Sequence, residues 1–312
     1  MKRFIIRLWV FLTCFLALAF SIQFFINKKI ENTTQTGSDN LQQTAGINAD
    51  LVFIGSSRCW AHFDPAFFDS TFKLKSVNIG VDGHPEITMS LLRLRNYLQR
   101  NKPPKFLIYN FDPMVLPGSF TSNKNVVHKD VFARYAFFPG KINEPMMNYL
   151  GFNFFEKYIP LYAVFKYRIL SDLLRAGGSS KWETYGYDRH VEHWDTLANP
   201  ILTANTHDFF EKTDLPLIRD LLEDLKLLCD SLKIKLLCIQ TPVYQSIYNA
   251  ERFSETSEVC KTLQIPFIDT NKEFIRNNLQ FFYNSNHINM EGVRAMNSVL
   301  KADSSLIRFF NR

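Results

Sequence analysis

Short apolar runs alternate with amphipathic helical patterns along most of the chain. Leu51–Ile54 is apolar at every position and stops at Gly55, as in a strand that is buried on both faces. Further strands are predicted at 74–79, 106–111, 234–239 and 266–268, and helices at 86–100, 215–232, 251–263 and 290–300. Strands that alternate with helices predict an α/β fold, in which helices cover both faces of a parallel sheet.

Residues 1–29 have the character of a membrane segment. About twenty uncharged residues separate Arg7 from Lys28, and a hydrocarbon core of about 30 Å needs a helix of that length. Basic residues before the apolar run favour a cytoplasmic N-terminus, with the main domain in the periplasm or outside the cell. Ala17-Leu18-Ala19 leaves cleavage and secretion as the alternative. The apolar run continues past that site, so we favour an uncleaved signal anchor.

Most of the excess positive charge lies in the same segment. The chain has 36 basic and 30 acidic residues, a formal charge of +6, and residues 1–29 contain five basic residues and no acid. The remainder is nearly neutral, so no nucleic-acid partner is expected. The five cysteines (Cys14, Cys59, Cys229, Cys238 and Cys260) form no close pair suited to zinc. Buried free thiols are predicted, with a single disulfide as the alternative.

Composition suggests how the rest of the chain is divided. Residues 30–49 are polar and are interpreted as a linker, followed by one domain over 50–312. Within that domain the strand–helix alternation lapses at about 113–214, where Phe, Tyr and Trp are frequent. We interpret this region as a helical, aromatic insertion. Core packing is favoured for its aromatic stretch 152–169, with sugar stacking or bilayer contact as alternatives.

Three polar segments flank predicted strands and the last helix. Gly55-Ser56-Ser57-Arg58 follows the first strand, Asn78-Ile79-Gly80 ends the second, and Asn284–His287 precedes the last helix. Open α/β sheets bind ligands at the carboxyl ends of their strands, so these segments are expected to meet. A serine in a tight turn and a histidine can act there as nucleophile and base. His62 and His84 are further candidates near the first two segments.

Together these residues resemble the SGNH (GDSL-like) hydrolase superfamily, over residues 51–112 and about 215–300. The resemblance implies a three-layer, flavodoxin-like sheet, with no cofactor and no metal. It places Ser57 as nucleophile and His287 as base, and it assigns oxyanion stabilisation to the second block, Asn78 and Gly80. Arg58 and the later Asp64-Pro65 resemble the variant found in membrane-anchored members that act on cell-envelope polymers.

Two positions depart from the pattern of the superfamily. Asn284 stands where an aspartate normally lies three residues before the histidine. An amide still orients the imidazole but cannot stabilise imidazolium by charge. Asp112 stands near the place of the asparagine that donates to the oxyanion, and a carboxylate would oppose that charge, so Asn110 is the better candidate donor.

The resemblance implies a serine esterase or O-acyltransferase for acyl groups, above all acetyl groups, on a cell-envelope polysaccharide. Its implied partners are the membrane, the polysaccharide and a membrane-bound O-acyltransferase. The first alternative is a catalytically degenerate domain that binds glycan or scaffolds an acylation complex. A second alternative is a metal-dependent hydrolase built on His190 and His193, with the flanking Asp188 and Asp195. A solvated polar loop is the favoured interpretation of that segment.

Overall fold

The computed structural model describes residues 1–31, 44–82, 87–114, 133, 143–167, 169, 185–203 and 209–311. Most of the predicted linker, much of the predicted insertion and His84 lie outside the described residues. The chain divides into two compact units: Met1–Gln43 with Lys124–Lys181, and Thr44–Asn123 with Trp182–Arg312. The domain boundaries proposed from the sequence stay predictions.

The larger unit is built on a five-stranded sheet. Its strands are β1 (Leu51–Ile54), β2 (Ser76–Asn78), β3 (Phe106–Asn110), β4 (Lys235–Gln240) and β5 (Phe267–Asp269). Their order is β2-β1-β3-β4-β5, and every neighbouring pair is parallel. This order reverses direction beside β1, as in a flavodoxin-like sheet. The predicted α/β fold with a parallel sheet is confirmed.

Helices connect the strands and extend both ends of the chain. In chain order they are α1 (Lys2–Glu31), α2 (Ser57–His62), α3 (Pro65–Phe72), α4 (Ile87–Leu98), α5 (Asn143–Tyr149), α6 (Phe154–Tyr158), α7 (Tyr162–Lys166), α8 (Leu215–Ser231), α9 (Ala250–Thr262), α10 (Glu273–Arg276), α11 (Met290–Ala302) and α12 (Ser304–Asn311). Short 3₁₀ turns lie at Lys212–Asp214, Gln245–Ile247 and Leu279–Phe281. A small antiparallel hairpin, β6 (Phe282–Asn284) and β7 (His287–Ile288), precedes α11.

Both faces of the sheet are covered. Leu51 and Phe53 of β1 belong to a buried cluster that includes Phe68 of α3 and Met296 of α11. The intervening Val52 is equally buried, and α4 and α8 contact β1 and β4. Because each face of β1 packs against helices, no position on it has to be polar, which explains its continuous apolar run.

The smaller unit contains α1 and the described helices of the predicted insertion. An 18-residue window within Lys2–Lys29 of α1 has a mean hydropathy of 2.2, so this helix is long and apolar enough to cross a membrane. Phe152 is buried, but Phe154, Phe155 and Phe165 are 63%, 57% and 61% exposed. The prediction that this aromatic stretch packs in a core is therefore wrong for those three side chains. They lie on short helices whose outer faces are uncovered.

The cysteines are all free, as predicted. Cys59, Cys229, Cys238 and Cys260 are buried, and Cys14 is exposed on α1. Burial raises the pKa of Cys59 and of Cys238 well above the ordinary value of a thiol. Cys59 and Cys238 are therefore protonated packing groups and poor nucleophiles.

Candidate active site

A tight turn after β1 presents Ser57 at the first position of α2. Gly55 makes this turn with φ of +147°, and a Cβ atom there would lie 2.8 Å from Cys59 Cβ and 2.9 Å from Asn110 Cβ. Only glycine fits such a backbone at such close approach. Ser56 caps α2, since its side chain accepts a hydrogen bond from the Arg58 N–H. Ser57 itself stays half-buried at the end of the strand.

The structure brings Ser57, His287 and Asn284 into one hydrogen-bonded chain. Ser57 Oγ lies 2.9 Å from His287 Nε2, although the two residues are 230 positions apart. His287 Nδ1 lies 2.9 Å from Asn284 Oδ1. These distances suit a nucleophile, its base and the group that orients the base. The catalytic roles of the three residues stay a prediction.

Backbone hydrogen bonds settle the orientation of the Asn284 amide and, with it, the tautomer of His287. Asn284 Oδ1 also accepts from the N–H groups of Asn286, at 2.9 Å, and His287, at 3.0 Å. The atom facing the imidazole is therefore the carbonyl oxygen, so His287 Nδ1 must carry the proton. That leaves the lone pair on Nε2 to accept the Ser57 hydroxyl, as a general base requires.

The surroundings of His287 favour its neutral form. Burial lowers the pKa of His287 to about 3, with further lowering by the positive charges of Arg58 and His190. The Tyr283 ring stacks on the imidazole, with centroids 5.4 Å apart and planes at 18°. A neutral imidazole is free to accept a proton near pH 7, but among the described residues it is the Asn284 amide, and no carboxylate, that would face the imidazolium at Nδ1.

Asn78 and Gly80 lie beside the nucleophile helix. Asn78 Nδ2 donates to the carbonyls of Cys59, at 2.8 Å, and Phe63, at 2.9 Å, and so ties β2 to α2. The Gly80 N–H donates to Asn78 Oδ1 at 2.9 Å. A Cβ at Gly80 would lie 2.7 Å from the Trp60 nitrogen, so a larger residue would displace α2. The oxyanion role of Gly80 stays a prediction, and it requires its N–H to turn from Asn78 to substrate.

Arg58, the residue after Ser57, forms a buried ion pair with Asp112. Their side chains are 3.3 Å apart and 5% and 6% exposed. Arg58 also donates to the carbonyl and hydroxyl oxygens of Thr241 and to the carbonyl of Pro242. Burial raises the pKa of Asp112 to about 6, an effect that Arg58 partly offsets. Both side chains are buried and paired with each other in this structure, and any role of theirs toward substrate stays a prediction.

Asn110, the predicted oxyanion donor, also points inward. Its Nδ2 donates to the Ile239 carbonyl at 3.2 Å and to Thr241 Oγ1 at 3.3 Å, which occupies both amide hydrogens. The side chain is buried between β3 and the end of β4. In this geometry the side chain joins neighbouring strand ends, and the oxyanion contact of Asn110 stays a prediction that requires its amide to change partners.

His62 supports the hairpin that holds the base. Its Nε2 accepts from the Ile288 N–H at 3.1 Å, and its Nδ1 lies 2.9 Å from Thr241 Oγ1. Burial lowers its pKa well below the ordinary value of histidine, so the ring stays neutral. The ring lies 5.8 Å from that of His287. His62 therefore borders the site as a buried support and has no free nitrogen for chemistry.

Sequence reasoning missed Tyr283 and the position of His190 relative to it. The Tyr283 ring, which stacks on His287, also stacks on the ring of His190, with centroids 3.9 Å apart. His190 Nε2 pairs with Asp188, which raises the pKa of His190. Nothing in the sequence marks Tyr283 except its place next to Asn284. Thr241 could have been predicted near the site, because it directly follows β4 and ligands bind at the carboxyl ends of such strands. Among the described residues, no group of three or more His, Cys, Asp or Glu side chains is arranged to hold a metal ion.

Known structures with similar folds were found, although no protein-family model and no curated protein matches the chain. A protein described as a candidate acylhydrolase from Bacteroides fragilis is 12% identical, with 83% of this chain and 87% of that chain covered and a TM-score of 0.38. A GDSL-like lipase from Bacteroides thetaiotaomicron is 11% identical, with 89% and 98% covered and a TM-score of 0.38. Within the chain itself, Ser57 after β1, Gly80 after β2 and His287 before α11 occupy the places that the SGNH resemblance implies.

Proposed function

We propose that the protein is a serine-dependent ester hydrolase or O-acyltransferase. The observation that carries this proposal is the 2.9 Å contact between Ser57 Oγ and His287 Nε2, at the carboxyl end of a parallel sheet. The Asn284 carbonyl fixes the tautomer in which Nε2 accepts a proton. Few structural roles require a hydroxyl, an imidazole and an amide to be aligned in this way, whereas acyl transfer requires that order.

The reaction proceeds by acylation of Ser57. As Oγ attacks the carbonyl carbon of an ester, its proton passes to His287 Nε2. The tetrahedral intermediate then breaks its bond to the leaving alcohol, which takes the proton from Nε2. Water or a sugar hydroxyl next attacks the acyl-enzyme, gives its proton to Nε2, and releases Ser57 with the proton returned to Oγ.

The proposed substrate is an acylated polysaccharide of the cell envelope, with acetyl as the first candidate acyl group. Support comes from α1, a helix suited to a membrane anchor, and from the sequence resemblance to anchored members of the SGNH superfamily. We propose that α1 is retained as a single-pass anchor and that the larger unit faces the periplasm or the cell exterior. A membrane-bound O-acyltransferase is the proposed partner if the acyl group is transferred to a sugar.

A fluorophosphonate probe tests the nucleophile, because it reacts with a serine that has an activated hydroxyl. Wild-type protein is expected to be labelled, and Ser57→Ala is expected to lose the label. Ser70→Ala is the matched control, since Ser70 is an exposed helix serine bonded to the Phe67 carbonyl, and should keep full labelling. Equal labelling of wild type and Ser57→Ala would exclude Ser57 as the nucleophile.

The second candidate function is a binding domain without turnover. It is favoured by Asn284, which gives His287 no charged partner, and by the pKa of about 3 for His287. In this case the domain would bind acylated glycan or hold an acylation complex together. The two candidates differ in whether a carboxylate at position 284 restores catalysis.

A further inference from the structure

The helices α6 and α7 carry an uncovered aromatic surface in the smaller unit. We call it the aromatic patch, and its members are Phe154, Phe155, Tyr158, Ile159, Tyr162 and Phe165. Their exposed fractions run from 42% for Ile159 and Tyr162 to 63% for Phe154. Scattered apolar residues are normal on a surface, but a contiguous apolar group of this kind marks an interaction site.

The loop between α6 and α7 is attached to the last turns of α1. The Leu161 N–H donates to Gln23 Oε1 at 2.7 Å, and Gln23 Nε2 donates to Asn27 Oδ1 at 2.8 Å. Ala19 and Ile26 are buried, while most other apolar residues of α1 are exposed. Positions 19, 23, 26 and 27 share one face of a helix. That face of α1 therefore packs inside the smaller unit.

A small cavity of about 120 Å³ confirms how close α1 lies to this region. Its lining includes Phe20 and Asn27 from α1 together with Tyr158 and Ile159 of the aromatic patch. The patch and the end of the apolar helix are thus neighbours within one compact unit. Whatever medium surrounds the end of α1 also reaches the patch.

The position of Gln23 along α1 fixes the depth of that contact. Gln23 is four residues before Asn27, a rise of about 6 Å, and Lys28 and Lys29 form the last basic turn of the helix. The headgroup layer on each side of a bilayer is about 5–8 Å thick. A helix that spans with Lys28 and Lys29 at the surface therefore places Leu161 at the boundary between headgroups and acyl chains.

We propose that the aromatic patch inserts into the interfacial layer of the membrane that α1 spans. Aromatic side chains favour that layer, tyrosine because its hydroxyl stays hydrated while its ring is buried. Lys157 and Lys166 flank the patch, where Lys157 Nζ donates to Asn148 Oδ1 and Lys166 Nζ pairs with Glu156 Oε1 at 2.6 Å. The patch is continuous with the apolar surface of α1, which makes lipid its occupant, ahead of sugar or a partner protein.

This inference rests on the proposed membrane span of α1, and the experiment separates the two. Full-length protein with Cys14→Ser has no exposed thiol, because the other four cysteines are buried. A nitroxide is attached to a single new cysteine, and the protein is reconstituted in vesicles of phosphatidylcholine and phosphatidylglycerol. Collisions of the nitroxide with oxygen, which concentrates in lipid, are compared with collisions with a water-soluble nickel chelate.

Four positions give the readout. Phe155→Cys and Phe165→Cys test the patch, Phe15→Cys tests the middle of α1, and Leu197→Cys is a water-exposed control in the larger unit, where Leu197 is 94% exposed. The oxygen-to-nickel ratio is expected to be highest at 15, raised toward that value at 155 and 165, and low at 197.

Two results overturn the inference in different ways. A high ratio at 15 with a low ratio at both 155 and 165 leaves α1 in the membrane and removes the patch from it. In that case, protection of the patch labels from nickel by added acetylated polysaccharide would indicate a sugar-stacking surface instead. A low ratio at 15 refutes the membrane span itself, and the inference fails with it. Neither result bears on Ser57, whose reaction with the probe is measured separately.

Discussion

Asn284 determines how far His287 can act as a base. Its carbonyl oxygen accepts from the ring N–H and from two backbone N–H groups, so the imidazole is well oriented. Orientation alone does not stabilise the imidazolium that forms when Ser57 loses its proton. A neutral amide supplies a dipole there, whereas a carboxylate would supply a full charge in a partly buried site.

Asn284→Asp is expected to increase the turnover of an activated acetyl ester by about 10–10³, because Asn284 already fixes the tautomer and only the effect of an adjacent opposite charge, about 1–3 pKa units, is gained. The carboxylate can keep all three hydrogen bonds of the amide oxygen while adding charge beside Nδ1. Steady-state kinetics of the purified full-length protein measure the effect. His287→Ala in the Asn284→Asp background is the control and should abolish the gain. No turnover in either wild type or Asn284→Asp would favour the binding domain over the enzyme.

The pH profile gives an independent check on the same residue. With a pKa of about 3, His287 stays neutral in the wild type at all ordinary assay pH values. The rate should therefore show no acid limb from His287 between about pH 5 and 8, since only the neutral ring accepts a proton. A carboxylate at 284 favours the protonated ring and raises its pKa, so the acid limb of Asn284→Asp should move to higher pH. Superimposable profiles for the two proteins would contradict this.

At the scale of single residues, the sequence predicted that Ser57 and His287 would meet better than it predicted the contacts around them. Ser57 and His287 stand at strand ends in polar segments, and the topology of a parallel sheet brings such positions together. Arg58 and Asp112 occupy similar positions, yet their opposite charges pair with each other. The Arg58 side chain turns inward because it donates to Thr241, which lies 183 positions away in the chain. The local sequence around Arg58 therefore does not predict that contact.

At the scale of elements, the turn from β1 into α2 places the nucleophile. β1 is buried and parallel to both neighbours, which fixes the position of Gly55 at the end of the sheet. The chain then reverses into α2 over two residues, at a φ that side chains rarely adopt. Any adjustment of this turn moves Ser57 relative to His287, because the histidine is held by a different element, the β6–β7 hairpin.

Gly55→Ala is expected to destabilise the protein by about 3 kcal/mol or more, since an unfavourable φ costs about 1–3 kcal/mol and overpacking adds a similar amount. The new Cβ would meet Cys59 and Asn110. Gly46→Ala is the matched control, because Gly46 also has a positive φ, +76°, but nothing within 4 Å. It should lose only about 1–2 kcal/mol. Denaturant unfolding measures both, and equal losses would show that the contacts contribute nothing.

Some helices and strands of this fold are predicted by the pattern of apolar residues in the sequence, and others are not. The strands and the helices α4, α8, α9 and α11 begin and end within two residues of their predicted bounds, because the helices are long enough to show a period and the strands stand out as short apolar runs. The elements α2 and β7 are six and two residues long. Segments that short do not complete a recognisable pattern, and their structure comes from capping by Ser56 and from the contacts of His62.

At the scale of the whole molecule, most of the basic excess of the sequence lies in the segment that we propose as a membrane anchor. Five basic residues lie within 1–29, and the remaining chain is nearly neutral. The composition alone left a cleaved leader and a retained anchor as alternatives. Packing adds a physical difference between them, because cleavage after Ala19 would remove the apolar part of α1 and leave Gln23 on a short peptide end.

The full-length chain is therefore expected to remain in the membrane fraction after alkaline carbonate extraction, with its N-terminal residues still present. A helix of this length and hydropathy inserts in an effectively irreversible way, and the Gln23–Leu161 hydrogen bond holds its end within the smaller unit. Mass spectrometry of the extracted protein should show the intact 36.4 kDa chain. Leu12→Arg with Leu16→Arg is the control variant, because two charges in the span should release the protein. A mature chain that begins at Phe20 in the soluble fraction would contradict the prediction.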